Sequence, residues 1–167
     1  PPDAASATAT ATVTITQPTQ LVATASQSIA ICAGLSTQIS GLGTGGTNPL
    51  SYAWTPGGPG QTLTVTPTAT QTYVLTVTDA NGCTDTASTT VTINPLPVFV
   101  IIADDSSGCV THCVTFTPSL TTGTFAWTYG DGANDNTGTH CYTTTGAFTV
   151  GLTITDPNGC SATVTVP

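Results

Sequence analysis

Six cysteines are the residues of this 167-residue chain with the clearest capacity for chemistry. Two pairs share one separation, because Cys83 follows Cys32 by 51 residues and Cys160 follows Cys109 by 51 residues. Equal spacing at matching positions predicts two disulfides, Cys32–Cys83 and Cys109–Cys160, each tying the first core strand of a unit to its final hairpin. An even number of cysteines in a chain rich in β-forming residues favours disulfides and an oxidising, extracellular compartment.

The other two cysteines, Cys113 and Cys141, bracket Trp127 and predict a third disulfide that pins two sheets together. Each follows a histidine, and His112-Cys113 with His140-Cys141 has the residue types of a zinc site. If the cysteines are bonded between two sheets, alternation along the strands turns both histidines outward on opposite faces. The histidines could then not share a metal ion, so the pattern argues against zinc.

A short acidic segment offers oxygen ligands. Asp131, Asn134 and Asp135 lie within five residues, which is compatible with a Ca²⁺ site. The spacing of an EF-hand loop and its final Glu are absent, and a turn built from Gly, Asn and Asp explains the same letters. Asp104 and Asp105 form a second, weaker candidate for a Ca²⁺ site, near the linker at residues 94–97. We therefore expect no cofactor, with Ca²⁺ at the first segment as the alternative hypothesis.

Catalysis is not expected from this composition. The chain has no Lys or Arg, all eight acidic residues are Asp, and the net charge is −8. The two histidines have no evident Ser or Cys nucleophile, because the cysteines are better used as bridges. Without cations the protein lacks a surface for nucleic acid or anionic membranes. The longest apolar run, residues 98–103, is too short to cross a bilayer, so no membrane insertion is expected.

An internal repeat sets the positions of these residues. Residues 51–57 read SYAWTPG and residues 124–130 read TFAWTYG, while LTVTDANGC (75–83) is answered by LTITDPNGC (152–160). The chain therefore holds two copies of a unit of roughly 75 residues, a length typical of a β-sandwich. Its 41 threonines alternate with Val, Ile and Ala, which gives each strand one apolar face.

The N-terminal segment is an extra element. Residues 5–16 alternate strictly, which predicts an extended strand within residues 1–17. One face carries the candidate assembly residues Ala7, Ala9, Ala11, Val13 and Ile15. Three interpretations remain open: the strand ends a preceding repeat, it is donated to the sheet edge of a neighbouring subunit to build a polymer, or it is an extra edge strand of its own domain.

Two domains are expected after this strand, over residues 18–95 and 96–167. The linker at residues 94–97 contains two prolines, which stiffen it. Trp54 and Trp127 are expected at the centres of the two cores, with exposed sugar-stacking platforms as the alternative. The sequence has no signal peptide or initiator Met, so we expect a processed or excised segment.

Residues 125–160 resemble a PKD domain, a β-sandwich with the signature W-x-F/Y-G-D-G, then H-x-Y, then a G-x-F/Y-T-V strand. The matching residues are Trp127, Tyr129, Gly130, Asp131, Gly132, His140, Tyr142, Gly146 and Phe148. Cys141 departs from the pattern. The first repeat is similar to the Ig-like and PKD-like repeats of giant Bacteroidota surface proteins, and residues 10–24 resemble the end of an SprB-type repeat of gliding-motility adhesins.

The resemblance implies an all-β fold of two tandem Ig-like/PKD-like β-sandwiches, exported by type IX secretion to the cell surface. It implies a non-catalytic structural subunit of an extracellular filament or adhesin stalk, contacting copies of itself or neighbouring repeats. The alternative is a glycan- or Ca²⁺-binding adhesion module with surface glycans as partners, using loops at residues 57–60 or 131–136. Asp85-Thr86-Ala87 matches the O-glycosylation pattern of Bacteroidota, which makes Thr86 a candidate glycosylation site.

Overall fold

The computed structural model describes residues 10–167, and this part of the chain contains strands and loops without a helix. The strands of the first repeat are β1 (Val22–Ala25), β2 (Ile29–Cys32), β3 (Thr37–Thr44), β4 (Ser51–Thr55), β5 (Gly58–Pro59), β6 (Thr62–Val65), β7 (Gln71–Thr78) and β8 (Thr84–Asn94). The strands of the second repeat are β9 (Ile101–Ala103), β10 (His112–Pro118), β11 (Thr124–Thr128), β12 (Asn134–Asp135), β13 (Thr139–Tyr142), β14 (Val150–Thr155) and β15 (Ser161–Val166). The predicted all-β fold is confirmed.

Each repeat places its strands in two sheets. In the first repeat the spatial orders are β1-β3-β6 and β2-β8-β7-β4-β5, and in the second they are β9-β10-β13 and β12-β11-β14-β15. Neighbouring strands are antiparallel except β2, which runs parallel to β8 with Ile29 opposite Val91 and Cys32 opposite Asn94. Within the described residues the second repeat has no counterpart of β2, so β15 is an edge strand of its sheet.

A separate hydrophobic core lies in each repeat. Alternation along β7 turns Tyr73, Leu75 and Val77 inward, and the last two are fully buried. Trp54 and Trp127 are each only 2 % exposed, so both lie at core centres as predicted. The alternative, in which these two rings are exposed platforms for sugars, is wrong because the facing sheet covers them.

Threonine pairs cover the outer faces of the sheets. The side-chain oxygens of Thr72 and Thr90 lie 3.0 Å apart across β7 and β8, and those of Thr153 and Thr163 lie 2.8 Å apart across β14 and β15. A β-branched side chain suits an extended backbone, and cross-strand hydroxyl pairs add a few tenths of a kcal/mol each (about 0.2–1). At these positions threonine thus supports the strands without an ion pair.

Residues 10–16 lie outside the sheets of this chain. Residues 10–20 contain no strand, and Val13 and Ile15 are 81 % and 90 % exposed. The predicted strand is therefore not formed over residues 10–16, because a strand needs a hydrogen-bonding neighbour and the described chain provides none there. Ala11 is likewise exposed. The remaining assembly residues, Ala7 and Ala9, lie outside the described residues.

Candidate functional site

The same turn precedes the last strand of both repeats. Asp79 Oδ1 accepts hydrogen bonds from the backbone N–H groups two and four residues later, at 2.9 and 2.8 Å. Asp156 Oδ1 does the same, also at 2.9 and 2.8 Å. A glycine with φ near +83° in the first turn and +81° in the second completes each turn. The final residue is a cysteine, Cys83 or Cys160, so the repeat presents both cysteines from one geometry.

A disulfide joins the two repeats. Cys160 of the second repeat bonds to Cys32 of the first, with a Cα–Cα distance of 5.5 Å and a sequence separation of 128 residues. Cys32 ends β2 opposite Asn94, where the linker begins. The backbone N–H of Ala33 also donates to the carbonyl of Asn94, at 2.9 Å. The disulfide therefore lies beside the linker and restrains one repeat relative to the other.

The predicted bond between Cys32 and Cys83 is wrong, because β8 separates the two residues. Cys32 lies opposite the last residue of β8, whereas Cys83 directly precedes its first residue, Thr84. The strand has 11 residues. An extended strand of that length spans about 35 Å, whereas disulfide-bonded Cα atoms lie within about 7 Å. The equal spacing of the cysteines reflects the length of the repeat and not a contact.

The predicted bond between Cys109 and Cys160 is wrong for the same reason. Cys160 precedes the first residue of β15, whereas Cys109 lines a groove together with Val166 and Pro167, at the other end of that strand. Within residues 10–167, Cys83 and Cys109 are therefore free thiols, and both are exposed.

The predicted bond between Cys113 and Cys141 is confirmed, but it lies within one sheet. The two residues are directly opposite each other on β10 and β13, with a Cα–Cα distance of 3.9 Å. The expected pin between two sheets is wrong, because the alternation that buries Val114 and Tyr142 turns both cysteines to the outer face. The bridge therefore links the edge strand β13 to β10 in the second sandwich.

The two histidines consequently turn toward the interior side of their strands, and not outward on opposite faces as predicted. The His140 ring stacks on Tyr129 with centroids 4.3 Å apart, and its Nε2 lies 2.7 Å from Asp131 Oδ2. His112 Nε2 lies 3.7 Å from Asp105 Oδ2. Each histidine has its own aspartate, and the described residues contain no group of three or more His, Cys, Asp or Glu that could hold a metal ion.

Tyr129 and Asp135 form the centre of a hydrogen-bond network. The Tyr129 hydroxyl donates to Asp135 Oδ1 at 2.6 Å, and the backbone N–H of Thr137 donates to the same oxygen at 2.9 Å. These bonds, the Tyr129 bond first, hold the pKa of Asp135 at about 2. Burial, reinforced by the Asp135 hydrogen bond, raises the pKa of Tyr129. The Tyr142 hydroxyl donates to the Tyr129 carbonyl at 3.1 Å.

The candidate Ca²⁺ ligands lie in this network. Asp131 Oδ1 accepts the N–H of Ala133 at 3.0 Å, and the hydrogen bond from His140 lowers the pKa of Asp131. Asn134 is exposed in β12 beside Asp135. Both carboxylates already have protein partners, which supports the interpretation of the segment as a hydrogen-bonded turn. Ca²⁺ binding itself stays a prediction.

The other candidate residues lie in separate places. Asp104 Oδ1 accepts the N–H of Thr115 at 2.8 Å, and Asp105 Oδ1 accepts the N–H of Ser106 at 2.7 Å, so both organise a loop. In the loop at residues 57–60, the middle two residues form β5. Thr86 is exposed near the start of β8, opposite Thr76 of β7, where a sugar-transferring enzyme could reach it. Its glycosylation stays a prediction.

A groove at the far end of the second sandwich was not predicted from the sequence. It encloses about 530 Å³. Its lining includes Ile101, Phe116, Tyr142, Phe148, Val166 and Cys109. The groove opens where β15 stops at Val166, opposite Val150. When the two Asp turns are superposed in sequence, Val166 falls on Thr89 and Pro167 on Thr90, so residues 91–94 of β8 have no counterpart among residues 10–167.

In the described part of the chain no helix has the length and apolar character needed to span a membrane.

Comparison with known proteins gives a match to a solved structure and a match to a family model. Among solved structures, Sidekick-1 immunoglobulin domains 1–4 is similar to this chain, with 17 % sequence identity and a TM-score of 0.48. The match covers 89 % of this chain and 48 % of the Sidekick-1 chain, so this chain spans about half the length of that structure. No curated protein matches the chain. The family model of the PKD domain matches residues 94–167, the linker and the second sandwich. The second half of this all-β chain is therefore similar to a PKD domain.

Proposed function

We propose that this chain is a non-catalytic structural subunit of an extracellular filament or adhesin stalk. Copies would assemble head to tail when the N-terminal segment of one copy, residues 10–16, completes the second sandwich of another. The observation that carries the proposal is an exposed apolar segment without a partner in the described chain, together with a groove in the second sandwich that apolar side chains line.

The donated segment has the properties of an unpaired strand. Val13 and Ile15 are two residues apart, so an extended backbone presents them on one face, and both are at least four-fifths exposed. An exposed, uncharged, alternating strand is a template for pairing with another sheet. Addition to a sheet edge would satisfy its backbone N–H and C=O groups and bury its apolar face.

The sequence of this segment fits the groove of the second sandwich. Residues 12–15 read TVTI, as do residues 90–93 at the end of β8. In the first sandwich Val91 is fully buried and Ile93 packs against the core. The groove of the second sandwich lies where those two side chains would be. Val13 and Ile15 of a neighbouring copy would therefore occupy the equivalent positions.

The residues that follow the segment extend this correspondence. Residues 15–22 read ITQPTQLV and residues 93–100 read INPLPVFV, so both begin with Ile, pass through proline and end at Val. Leu21 enters the first core at 7 % exposure and Phe99 enters the second at 6 %. A chain of copies would thus repeat, at each contact, the connection that joins the two sandwiches within one copy.

An extracellular location suits this role. The two disulfides of the described chain favour an oxidising compartment. The chain has no Lys or Arg, so association would depend on apolar contacts and strand pairing rather than on opposite charges. The expected partners are other copies or neighbouring repeats.

The experiment that tests the proposal replaces both apolar residues of the segment, Val13→Asp and Ile15→Asp. We expect this variant to lose filaments in electron micrographs while its circular dichroism stays that of two folded sandwiches, because neither residue contacts its own core. The matched control is Thr12→Ser with Thr14→Ser, on the opposite face of the segment, which should keep the filaments. Filaments from the Asp variant would contradict strand donation.

A glycan-binding adhesion module is the second candidate, and the groove is the observation that favours it. The rings of Tyr142 and Phe148 stack at 4.4 Å in its wall and could contact a sugar face. Titration of the Asp variant with surface polysaccharide would test this function independently of assembly. Saturable binding that is lost on Phe148→Ala would support it, and the absence of binding would exclude it.

A further inference from the structure

Cys83 and Cys109 have bonded twins in the other repeat. Cys83 lies 77 residues before Cys160 and occupies the same Asp turn, while Cys109 lies 77 residues after Cys32. The core supports the second match, because the buried residues Ile39 and Phe116 follow Cys32 and Cys109 at the same distance. The internal disulfide thus joins the first cysteine of one repeat to the turn cysteine of the next. The two free thiols are a turn cysteine, Cys83, and a first cysteine, Cys109, and neither is bonded in the described chain.

The free thiols lie at opposite ends of the molecule. The Thr47 carbonyl accepts the N–H of Ala80 in the Cys83 turn at 2.9 Å, and the neighbouring N–H of Gly46 donates to the Thr19 carbonyl at 2.8 Å. Cys83 therefore lies where the N-terminal segment leaves the first sandwich. That end is separated from the Cys32–Cys160 junction by the length of β8. Cys109 lies beside Pro167 in the wall of the groove, the end that we propose receives the segment of another copy.

The two turn cysteines differ in exposure, because a neighbouring sandwich covers only one of the two turns. Cys160, bonded to the preceding repeat, is fully buried, whereas Cys83 is exposed. In both turns the aspartate Oδ1 accepts hydrogen bonds from two equivalent backbone N–H groups. The Cys83 turn therefore already has the conformation of a bonded turn and lacks only the sandwich that would cover it.

We propose that Cys109 of one copy forms a disulfide with Cys83 of the next, repeating the Cys32–Cys160 junction between copies. This inference rests on the proposed head-to-tail assembly, because strand donation brings the Cys83 end of one copy to the Cys109 end of another. Every connection along the polymer would then carry one disulfide beside its linker.

The reaction is an oxidation of two thiols. Two S–H bonds break, one S–S bond forms, and two protons and two electrons leave the cysteine pair. A small-molecule disulfide can accept them by thiol–disulfide exchange, being reduced to two thiols in two steps through a mixed disulfide. Both sulfurs are exposed, so the oxidant can reach either one first.

The test uses the full chain with its native disulfides and oxidised glutathione as the oxidant. On non-reducing gels we expect a ladder at multiples of 16.6 kDa that returns to monomer on reduction. The decisive arm mixes the single variants Cys83→Ser and Cys109→Ser. The mixture should give several-fold more dimer than either variant alone, because only the mixture contains both partners.

Digestion on the amino side of aspartate identifies the bond, since the chain has no site for trypsin. Residues 79–84, which contain Cys83, should be linked to residues 105–130, which contain Cys109 and remain attached to residues 135–155 through Cys141. Dimers formed equally by each single variant, or monomers throughout, would overturn the proposal.

The double variant Cys83→Ser with Cys109→Ser separates this inference from the proposed function. Filaments from the double variant, together with no covalent ladder from the native chain, would overturn the disulfide and leave the structural role intact. A Cys83–Cys109 ladder without filaments would support the disulfide and overturn the filament. If both proposals hold, the double variant should form filaments that dissociate on dilution, whereas native filaments should persist.

Discussion

Tyr129 shows what the signature residues of the PKD-like half do in this chain. Its ring lies between Trp127 and His140, stacked with each, and its hydroxyl binds Asp135. Asp131 binds His140 on the other side of the loop. Residues whose types are typical of acid–base chemistry or metal binding are thus paired with each other. Their arrangement fixes the loop at residues 130–138 against the core.

The pKa of Asp135 leads to a prediction about acid stability. The folded state lowers it from an ordinary 3.8 to about 2. The folded protein therefore favours the ionised form, and the resulting stabilisation is complete above about pH 4 and is lost as the pH falls toward 2. We expect Asp135→Asn to lower the thermal midpoint of the second sandwich at pH 7 and to reduce the further loss between pH 4 and pH 2.

Differential scanning calorimetry across this pH range would measure both effects. Tyr129→Phe is the matched variant, because it removes the largest cause of the lowered pKa while keeping the ring. It should shift the acid transition in the same direction. An unchanged pH dependence in both variants would contradict the assignment of Asp135.

At the scale of elements, the Cys113–Cys141 bridge should stabilise only the second sandwich. The bridge closes a loop of 28 residues. In the loop-entropy model this contributes at most about 3.5 kcal/mol, which corresponds to roughly 14–28 °C for a domain of this size. We expect the double variant Cys113→Ser with Cys141→Ser to lower one calorimetric transition by up to this amount and leave the other in place.

The other bridge predicts a different result. Cys32–Cys160 connects two cores that do not share buried residues. The variant Cys32→Ser with Cys160→Ser should therefore keep both unfolding transitions within a few degrees and broaden the distribution of interdomain distances in small-angle X-ray scattering. A large loss of stability in either sandwich would show that the bridge supports a core and not the linker.

The elements could be predicted from the sequence where the signal was local. Alternation marks the buried face of a strand such as β7, but it also predicted a strand at residues 5–16 that is not formed over residues 10–16. The repeated Asp-x-Asn-Gly-Cys letters belong to two equal turns, because turns depend on nearby residues. The cysteine partners could not be predicted in this way. Equal spacing was compatible with bonds within each repeat and with a bond between repeats, and only the parallel register of β2 on β8 decides between them.

The candidate site was predictable only in its residues. Asp131, Asp135 and His140 were identified from their types, but their pairing depends on which face of β13 is buried. The assumption of a bond between sheets placed His140 on the wrong face. The groove left no mark in residue types, because its lining comes from strands and loops that are far apart in the sequence.

At the scale of the whole molecule, two features lie together at each end. The first sandwich presents the N-terminal segment and Cys83 at one end, and the second presents the groove and Cys109 at the other. The same combination of linker, turn and disulfide already connects the two sandwiches in the middle. A heterologous contact of this kind, which does not close on itself, produces an open filament rather than a dimer.

Electron microscopy of the oxidised protein, compared with a variant that lacks residues 1–17, tests this account most directly. The account predicts long filaments with an axial repeat of two sandwiches for the native chain and separate two-lobed particles for the shortened one. Two-lobed particles from both proteins, or filaments from both, would contradict it.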